Sequence, residues 1–266
     1  METTYSSPFA VVTGASSGIG LELAKVFAEH GYDVLMTAED DGIEDAAQRV
    51  RGLDVSATTF RADLASSDGV QRLYDRIRAM GRPIDAIAIN AGVGVGGPFV
   101  ETDLEKELNV IKLNVLSTVH LAKLVLRDMS ARNEGRVLFT SSIAADMPAP
   151  FEAVYGASKA FVQSFAEALR NELKDTNITV TALQPGATDT NFFRRAEMED
   201  TKVGAGKKDN PADVARDAYK ALMAGKDHVV AGSVKNKVQD TLAKFASEKT
   251  SAQLHRKQSE PGSARE

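Results

Sequence analysis

The chain has 266 residues, 43% of them hydrophobic and 26% charged, with a formal net charge of −5. That balance predicts a globule with enough apolar residues for a sizeable core, and the net negative charge argues against nucleic acid or an anionic membrane as its main partner. There is no cysteine, which excludes disulfides, thiolate nucleophiles and cysteine metal sites; the four histidines, His30, His120, His228 and His255, are too scattered for a ligand set.

Residues 1–8 are polar and lack the basic start and apolar run of a secretion signal, so a cytoplasmic protein is expected. No apolar stretch is read as reaching the roughly 20 residues that span a bilayer. A β-rich run at 9–13 is followed by a helical pattern at 18–30. Further runs at 33–37, 57–61, 85–90, 136–141, 179–184 and 228–231 are each followed by a helical pattern. Those patterns fall at 43–52, 67–80, 102–132, 152–174, 211–224 and 234–248 respectively.

Runs such as Ala86-Ile87-Ala88-Ile89 are apolar on both faces, as strands covered on both sides must be. The alternation predicts an α/β fold: a three-layer, doubly wound parallel sheet of about seven strands with helices on both faces. No linker, composition shift or repeat divides it, so a single domain over 1–266 is expected. Residues 186–210 form a long polar break, and the part at 187–206 is expected to be a mobile substrate loop. Residues 255–266, with Pro261 and Gly262, are expected to fray. The pattern at 234–248 carries an apolar stripe at Val234, Val238, Leu242 and Phe245, expected to pack on the body of the protein.

Two constellations carry chemistry. Thr13-Gly14-Ala15-Ser16-Ser17-Gly18-Ile19-Gly20 joins the first strand to the first helix. Glycines there permit a tight turn and close approach of backbone to a pyrophosphate, whose charge the helix N-terminus stabilises. Glu39 and Asp40 lie 19 and 20 residues beyond Gly20, where an acid can take the ribose hydroxyls and repel the extra phosphate of NADP(H). The second constellation is Tyr155 and Lys159, four apart on a helical pattern. An ammonium beside a phenol favours the phenolate, so Lys159 is expected to lower the Tyr155 pKa and make it a usable acid and base.

In this order the motifs resemble the short-chain dehydrogenase/reductase family over about 8–235. Thr13–Gly20 is similar to its T-G-x-x-x-G-x-G loop, Asn90-Ala91-Gly92 to its N-A-G, and Tyr155/Lys159 to its Y-x-x-x-K. Ser142 stands 13 residues before Tyr155, and Pro185-Gly186, with Thr188 and then Thr190, is similar to its P-G-x-x-x-T. The resemblance implies a Rossmann fold and a hydride transfer between nicotinamide and a carbonyl or secondary alcohol. It implies that Asn114, Ser142, Tyr155 and Lys159 are catalytic. Tyr155 would move the proton, Ser142 would hold the substrate oxygen, Lys159 would also hold the nicotinamide ribose, and Asn114 would keep a relay water in line. It further implies that Gly14, Ser16, Ser17, Gly18, Ile19, Gly20, Glu39, Asp63, Leu64, Asn90, Ala91, Gly92, Tyr155, Lys159, Pro185, Gly186, Thr188 and Thr190 bind the cofactor.

Relatives that use NADP(H) carry basic residues where this chain has Ser17 and Glu39, although Ala38 stands where many NAD(H) users have aspartate. NAD(H) is therefore expected over NADP(H), with no metal. The substrate is expected to be an apolar carbonyl or alcohol bounded by 92–99, 143–151 and 187–206. These segments offer Val93, Val95, Pro98, Phe99, Ile143, Met147, Pro148, Phe151, Phe192, Phe193 and Met198, with Arg194 and Arg195 beside them. The resemblance implies a homodimer or homotetramer that meets through the helices at 103–132 and 151–174, whose apolar faces carry Leu113, Leu116, Leu121, Leu124, Phe161, Phe165 and Leu169. The competing reading is a cofactor-binding sensor without turnover, for which an activated phenol has no use.

Overall fold

The computed structural model describes residues 7–232 and 247–265. Seven parallel strands form one sheet in the order β3-β2-β1-β4-β5-β6-β7. They are β1 (Phe9–Thr13), β2 (Asp33–Ala38), β3 (Ala57–Arg61), β4 (Ala86–Ile89), β5 (Gly135–Thr140), β6 (Ile178–Pro185) and β7 (His228–Ala231). Alternation along β1 builds both halves of the core. Ala10 and Val12 pack on one face with Ala24 and Phe27 of α1 (Gly18–Glu29) and with Val214 and Leu222. Phe9 and Val11 face the other side, with Leu73, Val125 and Val162. Every residue of β1 and β4 is buried, as a doubly covered parallel strand requires.

The helices begin where the local chemistry lets them. After α2 (Gly42–Arg51), α3 (Ser67–Ala79) starts at Ser66, whose hydroxyl accepts from Gly69 N at 3.0 Å. Asp103 caps α4 (Leu104–Ile111) by accepting from Glu105 N and Lys106 N. A π turn, Lys112–Leu116, continues α4 into α5 (Ser117–Arg132). The joined helix 104–132 is long and apolar enough to cross a membrane by length and composition, contrary to the sequence reading. Here Leu121, Val125 and Met129 are spent on the core against the sheet. Then come α6 (Ala153–Glu172), α7 (Phe192–Arg195), α8 (Lys202–Ala205), α9 (Pro211–Met223) and α10 (Glu248–Ser259).

Two expectations change. The 186–210 break holds two helical turns, α7 and α8, and a bridge between Thr188 and Asp209. The segment expected to fray from 255 is helical to Ser259 and ends in a 3-10 turn, Ser263–Arg265. Its polar groups find partners in the body of the protein: the Ser259 hydroxyl donates to Glu152, and the Ala264 backbone N donates to Asp200 O. The stripe Val234, Val238, Leu242 and Phe245 lies outside the described residues.

Candidate active site

Strand order reverses between β1 and β4, which opens a crevice at the carboxyl ends of the strands. A cavity of about 550 Å³ fills it. Gly14 leaves β1 at φ 66, and Gly20 packs so tightly against the turn that a Cβ there would stand 2.1 Å from Gly14 O. A Cβ on Gly18 would stand 2.8 Å from Thr190 Cγ2, so the third side of the loop abuts the segment after β6. Ser17 occupies the N-cap of α1 without a side-chain capping bond. Helix N–H groups aimed at a glycine cradle suit a pyrophosphate, and these residues fit a dinucleotide.

The floor is stitched by hydrogen bonds. Thr13 Oγ1 accepts from Asn90 N at 2.9 Å and Ala91 N at 3.0 Å, and Asn90 Oδ1 accepts from Thr140 Oγ1 at 3.0 Å. Three strand ends are thereby held in one layer. Beside the glycine loop, Asp40 Oδ2 accepts from Ser16 Oγ at 2.8 Å, tying the segment after β2 to the loop. Arg195 reaches across from α7, 4.0 Å from Glu39 and 3.7 Å from Asp40.

Ser142, Tyr155 and Lys159 line the inner part of the same cavity. The helical period puts Tyr155 and Lys159 on one face of α6, and Ser142, just past the end of β5, lines the same cavity. Lys159 is buried and its Nζ donates to Thr140 O at 2.8 Å. Burial alone lowers its pKa from 10.5 to about 8. The phenol departs from expectation. Burial drives its pKa well up, the Ser142 hydrogen bond pulls it back, and the Glu152 charge raises it further. The ammonium sits 5.8 Å from the ring centroid, turned to the Thr140 carbonyl, and desolvation outweighs it.

The other sequence candidates divide clearly. Gly14, Ser16, Ser17, Gly18, Ile19, Gly20, Glu39, Leu64, Asn90, Ala91, Gly92, Pro185, Gly186, Thr188 and Thr190 all line the cavity. Asp63 is exposed and serves the turn before α3, its carboxylate accepting from Ala65 N at 2.8 Å. Asn114 is buried in the π turn behind the cavity. Its Nδ2 donates to Val93 O at 2.9 Å and Ser158 Oγ at 3.0 Å, and its Oδ1 accepts from Val93 N at 3.0 Å. Among the described residues no three His, Asp or Glu side chains converge as a metal site.

Of the apolar residues expected around the substrate, Val93, Ile143, Met147, Phe192 and Phe193 line the cavity. Met198 packs beneath Gly96, and Phe99 lines a separate depression with Ile111 and Val115. The sequence reading missed Glu152, His255 and Ser259, which form part of the wall. Their only advance signal was the i, i+4 spacing of His255 and Ser259, on a segment read as a tail.

The sequence pattern of the family described as short chain dehydrogenase matches residues 8–201. An uncharacterized oxidoreductase, YmfI of Bacillus subtilis, is 31% identical over 233 residues, which is 85% of this chain and 95% of that protein. A short-chain dehydrogenase from Sphingobium yanoikuyae, solved with NADPH, superposes with a TM-score of 0.78. It is 28% identical and the match covers 84% of this chain and 87% of that one. A bulky-bulky ketone specific alcohol dehydrogenase from Comamonas testosteroni gives a TM-score of 0.75 at 25% identity, covering 90% and 92%.

Proposed function

From the premise that this chain is an oxidoreductase of the short-chain dehydrogenase/reductase family, with an NAD(P)-binding Rossmann-type sheet, we propose that it interconverts a carbonyl and a secondary alcohol. Tyr155 is the general acid and base in this reading, and NAD(H) is preferred over NADP(H). The observation that carries it is that Ser142, Tyr155 and Lys159 line the same cavity as the glycine loop.

When bound, the nicotinamide supplies or accepts the hydride. Gly14, Ser16, Gly18 and Ile19 would hold its pyrophosphate, Glu39 and Asp40 its adenosine ribose, and Lys159 and Thr190 its nicotinamide half. Ser142 Oγ donates to the substrate oxygen, where charge grows as the carbonyl is reduced. Tyr155 hands its proton to that oxygen. Burial keeps the phenol protonated near pH 7, which suits donation and hence reduction; oxidation, which needs the phenolate, gains as pH rises. Asn114 fixes Val93 through both backbone atoms and so shapes the wall beside Lys159.

Val93, Ile143, Met147, Phe192 and Leu254 make an apolar wall, which supports an apolar carbonyl substrate. The bulky ketones named for the Comamonas enzyme accord with it. A homodimer or homotetramer is supported by apolar side chains left in water: Phe99, Leu104, Ile111, Leu116 and Phe161 are exposed between 39% and 64% on neighbouring turns. Leu121, expected in that interface, is buried in the core. The test is a panel of ketones and alcohols with NADH and NADPH, run beside Tyr155→Phe. Turnover should fall about 10²–10⁴-fold while cofactor titrations stay within a few-fold. Near-normal turnover by the variant would overturn the assignment.

A further inference from the structure

One wall of the cavity is built by a segment far from the glycine loop and from the catalytic strands. Leu254, His255, Gln258 and Ser259 of α10 all line it. Opposite them stands Glu152, buried at the start of α6 and three residues before Tyr155. A buried carboxylate is costly to desolvate unless donors meet it. Here one oxygen, Oε2, accepts from Ser259 Oγ at 2.9 Å and from His255 Nε2 at 3.0 Å. The two donors are four residues apart on α10, so one acid grips one face of that helix.

The same segment is held at its far end by the loop that carries α8. Asp200 accepts from Gly262 N through its carboxylate at 2.8 Å and from Ala264 N through its carbonyl, and Ser263 Oγ accepts from Lys202 N at 3.0 Å. Between these points the Arg256 guanidinium stacks 4.9 Å from the Phe151 ring centroid. Phe151 has a left-handed φ of 67, rare for a bulky residue and sustained only where neighbours fix it. The segment thus spans the cleft from the head of α6 to the loop at 198–204.

We propose that Glu152 is a positioning residue and, with His255 and Ser259, a determinant of substrate specificity. Its grip on α10 makes the segment 247–265 the outer wall of the substrate pocket and sets the size of carbonyl compound that reaches Tyr155. The trio is not a nucleophilic relay. Such a relay needs the histidine to take the serine proton on one ring nitrogen and give a hydrogen bond to the acid from the other. In this structure Nε2 faces both Glu152 and Ser259, and the Ser259 hydroxyl is already donated to the acid. The wall also has an electrostatic side, because the Glu152 charge raises the Tyr155 pKa.

The kinetic part rests on the oxidoreductase reading, and the structural part does not. The experiment compares the full chain with His255→Ala/Ser259→Ala, Glu152→Ala and Glu152→Gln. Backbone hydrogen exchange is followed across 247–265 and in β1 and β4, beside KM and kcat for ketones of increasing bulk. In the double variant and in Glu152→Ala, exchange across 247–265 should quicken about tenfold or more while the strands stay protected. KM for the smallest ketone should rise about tenfold, more than kcat falls, and the penalty on bulky ketones should shrink. Glu152→Gln keeps an acceptor oxygen and should recover most of the protection and the size selectivity. It should also move the alkaline limb of the pH profile down, because a charge near the phenol is gone.

Unchanged exchange at 247–265 in the double variant overturns the anchor, whatever the activity. Quickened exchange with KM and size selectivity unchanged keeps the anchor but overturns its role in specificity. A wild type that turns over no carbonyl or alcohol would overturn the oxidoreductase reading and the specificity role together, and the exchange data would still decide the anchor.

Discussion

Lys159 and Tyr155 share one face of α6 with the ammonium 5.8 Å from the ring centroid, and burial moves their pKa values in opposite directions. The lysine falls to about 8 and the phenol rises, so in the cofactor-free protein both groups are drawn towards their neutral forms. Filling the cleft has to change this balance, because an ammonium that supports a phenolate must hold its proton.

The first prediction concerns stability against pH. The unfolded chain keeps a proton on this lysine up to about 10.5, while the folded chain releases it at about 8. The unfolded state therefore binds more protons in that window, and stability rises with pH across it, by up to about 3 kcal/mol. Tyr155 acts in the opposite sense above pH 10, where the unfolded phenol ionises and the buried one does not. Urea unfolding of the cofactor-free protein should find Lys159→Met more stable than wild type at pH 7, with the gap closing between pH 8 and 10. A gap that stays constant over that range would rule out a depressed lysine.

Asn114 supports a second prediction, on stability. Its amide group makes three hydrogen bonds, two to the backbone of Val93 and one to Ser158, and Asn114 is the buried residue of the π turn. Asn114→Ala leaves those groups without their partners, at about 1–3 kcal/mol for each one left unmet. A loss of about 2–4 kcal/mol is expected in thermal or denaturant unfolding. Asn114→Asp should recover only the bond from Val93 N, because a carboxylate cannot donate. Wild-type stability in the alanine variant would mean that Val93 finds other partners.

How much of this could be read from residues alone follows from range. The sheet was legible because continuous apolar burial, in Phe9–Thr13 as in Ala86–Ile89, is a local pattern. The Tyr155/Lys159 pair was legible because one helical turn separates its members. The direction of the phenol shift was not, since it depends on how β5 and α6 close over the ring. The Glu152 grip on His255 and Ser259 was illegible for a related reason: 103 and 107 residues of chain intervene. Asp63 shows a second use of the same residue type, for an acid after a strand also serves as a turn residue, and here it accepts from Ala65 N.

The meeting of Gly18 and Thr190 gives a third prediction. A Cβ on Gly18 would stand 2.8 Å from Thr190 Cγ2, and its φ of 56 disfavours any side chain. Gly18→Ala should therefore displace the segment after β6 as well as the loop, and weaken nicotinamide cofactor binding about tenfold or more. Thr190→Ser removes the offending methyl, so Gly18→Ala/Thr190→Ser should bind better than the sum of the two single losses implies. Fluorescence titration with reduced cofactor reads this directly. Strict additivity would show that the two positions are not in contact.

In the proposed function, cofactor choice would be set where Ser16, Asp40 and Arg195 meet. Asp40 is held against the glycine loop by Ser16 at 2.8 Å, and Arg195 lies within 3.7 Å of it on the other side. A ribose bearing two hydroxyls would find acceptors there, whereas a 2′-phosphate would meet the charges of Glu39 and Asp40. Arg195 offsets part of that repulsion from across the cleft, so the preference for NADH should be modest and salt-dependent. Removing one acid should shift it: Asp40→Asn is expected to improve NADPH binding relative to NADH by about tenfold at low salt. Arg195→Ala should act the other way, because the remaining acids are then unopposed. Parallel titrations of both reduced cofactors against the three proteins test the assignment. Equal effects on NADH and NADPH in Asp40→Asn would mean that the acid shapes the loop and does not read the ribose.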